Sequence, residues 1–110
     1  MTNIKFFKTR GKFVGIECSG HTGYDDFGKD VLCATISGIV QSTYLGLSQV
    51  LGINVKLQRN IDNGYIKFEL PKNIEDNNFK ESQILLQTLY ISIEDLCKGY
   101  SKYISMEVIE

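Results

Sequence analysis

The chain has 110 residues, 43% of them hydrophobic, and a formal net charge of −1. This length builds one domain (residues 1–110) around one core, and a near-neutral chain lacks the basic excess of a general nucleic-acid binder, so no direct nucleic-acid contact is expected. The N-terminus does not join a basic region to a long apolar run, and no apolar stretch reads as long enough and free enough of polar residues to span a bilayer; the expected location is cytoplasmic, with no membrane partner.

The predicted elements begin with two strands, 3–8 and 12–19, joined by a tight turn at Arg10-Gly11. In the second strand Val14, Ile16 and Cys18 fall on one face and Phe13, Gly15 and Glu17 on the other. Cys18 is therefore read as an inward core thiol. A glycine-punctuated segment follows, from Gly20 to Asp30, and then the period changes. Val31, Leu32, Ile36, Ile39, Val40, Leu47 and Leu51 are spaced as on a helix, with Asp30 placed to cap it. From Val31 to Val55 there is no charged residue. A surface helix normally carries charge outward, so this one is expected to be covered on more than one side, by a second sheet or a second subunit.

Three alternating segments read as further strands. Ile53, Val55 and Leu57 alternate with polar residues, as do Ile66, Phe68 and Leu70, and later Ile104, Met106 and Val108. Asp62-Asn63-Gly64 suits a hairpin turn, because Asn and Gly tolerate positive φ. Residues 71–78 read as a polar loop. A second helix is expected over about 79–103, with Leu86, Leu89, Ile93, Leu96 and Tyr100 on one stripe and Cys97 beside it in a structural role. The order is ββαββαβ, an α+β class with mostly antiparallel strands packed on two helices.

Chemistry concentrates in one place. Cys33 falls at the third position of the first helix, twelve residues after the only histidine, His21. A helix N-terminus favours a thiolate, and an imidazole can take or return its proton. Unpaired first-turn N–H groups could bind a developing oxyanion. The Asp30 carboxylate would oppose the thiolate unless capping or the imidazole engages it. The same residues fit plainer roles, since a cysteine on an apolar helix is commonly packing and a lone histidine is commonly solvated. Between them, Gly20, Gly23 and Gly28 make the segment pliable, while Tyr24 and Phe27 are costly to leave exposed. A flap closing over a bound peptide, built from Gly23, Tyr24, Phe27 and Gly28, would explain both. Three cysteines without paired C-x-x-C spacing, plus one histidine, give no basis for a metal or other cofactor.

As a block, Gly20-His21-Thr22-Gly23-Tyr24, Gly28-Lys29-Asp30-Val31-Leu32-Cys33-Ala34 and Ile36-Ser37 resembles the ribosomal-processing cysteine protease family, Prp. That family's pattern runs approximately G-H-A-G-Y, a variable loop, then G-x-D-I-V-C-A-A-V-S. Thr22 and Leu32 are mild departures. The resemblance implies a catalytic dyad of Cys33 and His21, with supporting roles for Gly20, Asp30 and Ser37. It further implies a homodimeric endopeptidase that removes an N-terminal extension from a precursor of large-subunit ribosomal protein number 27, cutting after an aromatic pair. Two rival functions remain to be weighed against it. One is a non-enzymatic, ribosome-associated module that recognises a basic protein tail. The other is a thiol redox protein, which the absence of a resolving cysteine near Cys33 in the sequence disfavours.

Overall fold

Alternating apolar and charged residues in the first two strands translate directly into a hairpin. β1 (Thr2–Thr9) and β2 (Lys12–Ser19) pair antiparallel. Arg10 and Gly11 turn between them with φ of 52° and 77°. Two successive positive φ values give a turn whose twist matches that of the strands it joins. The computed structural model of the protein describes residues 1–21, 23 and 30–110. Over these residues the chain continues as α1 (Val31–Leu45), β3 (Lys56–Asn60), β4 (Tyr65–Glu69), α2 (Asp76–Gly99) and β5 (Ile104–Ile109). The order is the expected ββαββαβ.

The five strands form one mixed sheet in the order β3-β4-β2-β1-β5. Of its pairings among the described residues, only β1 with β5 is parallel. Cross-strand rows explain why one face is buried. Phe6, Ile16 and Phe68 stand side by side, as do Ile4, Cys18 and Ile66, and both rows are sealed from solvent. The reverse face carries the row Lys5, Glu17, Lys67, in which the acid lies between two bases. Lys67 also extends its amine over the Phe7 ring, 5.5 Å from the centroid.

Both helices cover the buried face. Leu32, Ile36 and Val40 of α1 join Leu86, Leu89 and Ile93 of α2 in one cluster with the strand residues. Each such side chain contributes roughly 1.5–3 kcal/mol by leaving water. Among the described residues the charge-free helix is therefore covered by a sheet on one side only, which corrects the expectation of a second sheet. Val31, Leu45 and Val50 on its outer side are exposed. The run Val31–Val50 is also long and apolar enough, by length and composition, to cross a membrane, contrary to the expectation above. In this fold its apolar stripe is packed on the sheet, as in the core helix of a globular domain.

Boundaries shift in three elements for local reasons. α1 closes with a π turn from Gly46 to Val50, in which the Leu51 N–H donates to the Gly46 carbonyl. α2 starts at Asp76 rather than about residue 79, its acidic first turn suiting the positive end of a helix. It ends at Gly99, followed by a turn rather than helix through residue 103. Ile53 and Val55 are buried just ahead of β3 rather than within it.

Phe13 needs a larger correction. Strict alternation turns it away from Ile16 and Cys18, yet it lies in the core against Phe6 and Tyr90, with ring centroids 5.8 and 5.1 Å away. The cause is a β-bulge: Phe7 pairs with Gly15 but Lys8 pairs with Phe13, so Val14 is the extra residue and the alternation resets. The bulge leaves the Phe13 main chain dependent on Gln83 of α2. Its side-chain Oε1 accepts from the Phe13 N–H at 2.9 Å and its Nε2 donates to the Phe13 carbonyl at 2.8 Å. A Gln83→Ala variant orphans two buried main-chain groups and is expected to lose about 2–4 kcal/mol, measured by urea unfolding.

Candidate active site

The site is built where the start of α1 meets the end of β2. Asp30 adopts extended φ and ψ of −74° and 91°, and its Oδ1 accepts the Cys33 N–H at 2.9 Å. This is an N-cap that satisfies one orphan amide of the first turn. The carboxylate is thus engaged by the helix start, one of the two roles anticipated for it. Cys33 lies at the third helical position, half-buried, beside Leu32 and Ile36, which anchor the turn in the core. With Leu32 and Ile36 facing the sheet, the next positions round the helix form a second stripe of Cys33, Ser37 and Gln41. Gln41 Nε2 donates to Ser37 Oγ at 2.7 Å, and Arg59 of β3 donates to Gln41 Oε1 at 2.6 Å. Ser37 is therefore held from behind, in the wall of the cleft that contains Cys33.

Gly20 follows β2 with φ of 87°, and a Cβ there would lie 2.6 Å from the Met1 carbonyl oxygen. The buried Thr2 hydroxyl donates to the Gly20 carbonyl at 2.9 Å. This backbone turn is open to glycine and delivers His21 to the start of α1. His21 Nδ1 lies 3.8 Å from Cys33 Sγ, and Nε2 lies 3.0 Å from the main-chain carbonyl of Asp62. The structure thus brings together His21, Cys33, Asp30, Ser37 and Gly20. Of the proposed flap, Gly23 is exposed with φ of 74°. Tyr24, Phe27 and Gly28 lie outside the described residues.

The pair opens into a cleft of about 310 Å³ whose walls include Ile36, Ile61 and Ile66, with Cys18 and Arg59 also on its lining. Cys18 is buried and its thiol is pushed up to about 12 by burial, then by the Glu17 carboxylate and by Cys33. The fold consequently brings a second cysteine to the cleft of Cys33, which sequence distance concealed. Cys18 holds its proton too firmly to serve as a ready resolving thiolate. Cys97 packs beside the core, its thiol pushed up by burial and then by Glu94. Asp62, Gly64, Gln41 and Arg59 escaped sequence reasoning as site residues. Gly64 was legible only as a turn glycine, and a carbonyl partner has no signature, since each residue carries one.

A family model described as cysteine protease Prp matches residues 1–105. The chain is 24% identical over 87 residues to the ribosomal processing cysteine protease Prp of Bacillus subtilis strain 168, covering 79% of this chain and 78% of that one. It is 24% identical over 97 residues to the protein of the same name from Staphylococcus aureus strain Mu50, covering 87% of each. Among solved structures it matches a Streptococcus mutans protein with a TM-score of 0.85 at 24% identity, covering 99% and 94% of the two chains. It also matches S. aureus Prp bound to a covalently linked product peptide, with a TM-score of 0.86 at 18% identity and coverage of 99% and 100%. These two likenesses show a shared fold.

The Cys18 thiol carries a stability consequence of definite sign. Its folded pKa of about 12 exceeds the ordinary 9.0, so its contribution is complete below pH 9 and is lost as pH rises through about 12. Over that window the unfolded chain releases a proton that the folded chain keeps, costing about 1.4 kcal/mol per pH unit. Between pH 8 and 10.5, urea unfolding of the protein should lose about 1–2 kcal/mol more than that of a Cys18→Val variant.

Proposed function

Because the chain belongs to the cysteine protease Prp family, we propose that it removes the N-terminal extension from a precursor of large-subunit ribosomal protein number 27, with Cys33 as nucleophile and His21 as base. The observation that carries this reading is the 3.8 Å approach of His21 Nδ1 to Cys33 Sγ at a capped helix start beside an open cleft. His21 takes the thiol proton as Sγ attacks the scissile carbonyl, then returns it to the leaving amine. Water hydrolyses the thioester, and the cycle balances without a cofactor. The Cys33 amide serves the Asp30 cap and the Ala34 amide donates to the Asp30 carbonyl. First-turn donors to the oxyanion must therefore come from amides ahead of Cys33, a narrower set than the sequence alone allowed.

Cleavage after an aromatic pair suits the apolar walls formed by Ile36, Ile61 and Ile66. Support for the substrate class comes from the relatives in B. subtilis and S. aureus, whose names specify ribosomal processing. The place of action is the cytoplasm, where ribosomal subunits assemble. Incubation of the protein with the extended precursor is expected to give a single truncation by mass spectrometry. Cys33→Ala abolishes it, and His21→Ala lowers kcat by about 10²–10⁴-fold. Retained cutting by Cys33→Ala would sink the reading, whereas tail binding without cutting by the wild type would favour the non-enzymatic module.

The active form is a homodimer in this reading. Its support is the outer side of the helical layer, where Val31, Ile84 and Ile91 are exposed and Thr35, Gly38 and Thr88 line a groove between α1 and α2. An uncharged, small-residue face of this kind is costly to leave in water and easy to pack closely. Light scattering is expected to give a dimer mass for the wild type and a monomer mass for Gly38→Arg.

A further inference from the structure

The His21 imidazole is gripped, on the side away from the thiol, by a group with no part in the bond-making steps. Nε2 lies 3.0 Å from the Asp62 carbonyl oxygen, in the turn between β3 and β4, while Nδ1 faces Cys33 Sγ. A carbonyl oxygen only accepts, so a hydrogen bond there requires the proton on Nε2. A neutral imidazole has one ring proton; with it on Nε2, the lone pair is on Nδ1 and directed at the thiol.

We propose that the main-chain carbonyl of Asp62 is a positioning group that holds His21 in the Nε2–H tautomer and makes Nδ1 the base, and that Gly64 is the residue that lets this turn approach. Gly64 has φ of 61°, and a Cβ on it would lie 2.8 Å from the Gly20 carbonyl oxygen and 3.1 Å from His21 Nδ1. A methyl group at this position would push the turn off the histidine and crowd the basic nitrogen itself. The turn is braced from within: the Gly64 N–H donates to the Ile61 carbonyl at 3.1 Å, and the Asn63 N–H to Asn60 Oδ1 at 3.3 Å.

The same bond serves both halves of the proton cycle. After Nδ1 takes the thiol proton, Nε2–H still donates to the carbonyl, so the ring need not turn before returning the proton. A neutral acceptor does this without adding a net charge beside the thiolate. The positioning role rests on the Cys33–His21 reading above, but the tautomer does not.

The chain's single histidine makes the test direct. Long-range ¹H–¹⁵N spectra of protein labelled at histidine, recorded where the imidazole is neutral, identify which ring nitrogen carries the proton. The expected result is the Nε2–H form in the wild type. Gly64→Ala is expected to give mixed tautomers and a kcat lower by at least about 10-fold, with KM changed less. Gly11→Ala, at a comparable φ of 77° with open space around it, controls for backbone strain and should change neither. An Nδ1–H tautomer or an even mixture in the wild type overturns the assignment, even if Gly64→Ala fails to fold. A folded Gly64→Ala with wild-type tautomer and turnover removes the role of the glycine. Cleavage by Cys33→Ala would refute the catalytic reading and leave the tautomer result standing.

Discussion

The register between β2 and β4 is the constraint on which the rest of this structure depends. Cys18 pairs with Ile66 and Ile16 with Phe68, which places three large apolar side chains and one thiol on the helix-covered face. Continuing that pairing past the end of β2 sets Gly20 opposite Gly64, where two backbones meet too closely for any side chain. His21 is the next residue, and the turn that receives its Nε2 is the one Gly64 belongs to. A slip of one residue would turn the apolar rows to solvent and carry the histidine away from Cys33. Packing of the sheet and geometry of the site are thus set by the same pairing.

The helix start is fixed by a second, independent device. Asp30 closes the first turn of α1 through the Cys33 amide, while Leu32 and Ile36 press the helix onto the sheet. Cap and core therefore determine the position and rotation of α1, and rotation decides that Cys33 and Ser37 face the cleft. Gln41 and Arg59 extend this support to β3, tying the helix to the same hairpin that holds the histidine. Cys33 and His21 stand on different elements, yet the helix of one and the ring of the other are both braced against the β3–β4 hairpin. The proton transfer proposed between them would draw on that shared support, because its efficiency depends on maintained distance and alignment.

Much of the fold was legible because its signals are local. The Arg10-Gly11 turn, the alternation in β4 and the Asp30 cap each depend on neighbours within a few residues. Reading failed where a distant partner intervenes. Phe13 was assigned to the wrong face because the bulge at Val14 is sustained by Gln83, seventy positions away. The absence of charge in α1 was read as cover on more than one side, but among the described residues the sheet covers only one. The reason is topological: both crossover helices lie on one face of a five-stranded sheet, leaving their outer sides open.

For the site, sequence by itself determined the thiol at a helix start, its cap, and the single histidine available as a partner. These are matters of residue type and short-range spacing. Tertiary structure alone decided that the two side chains meet, that Cys18 shares their cleft, and that the Asp62 carbonyl, in the turn of Gly64, lies against the imidazole. A spacing of twelve residues fits many geometries, and main-chain carbonyls are alike at every position. Only the strand register selects which carbonyl lies against the ring.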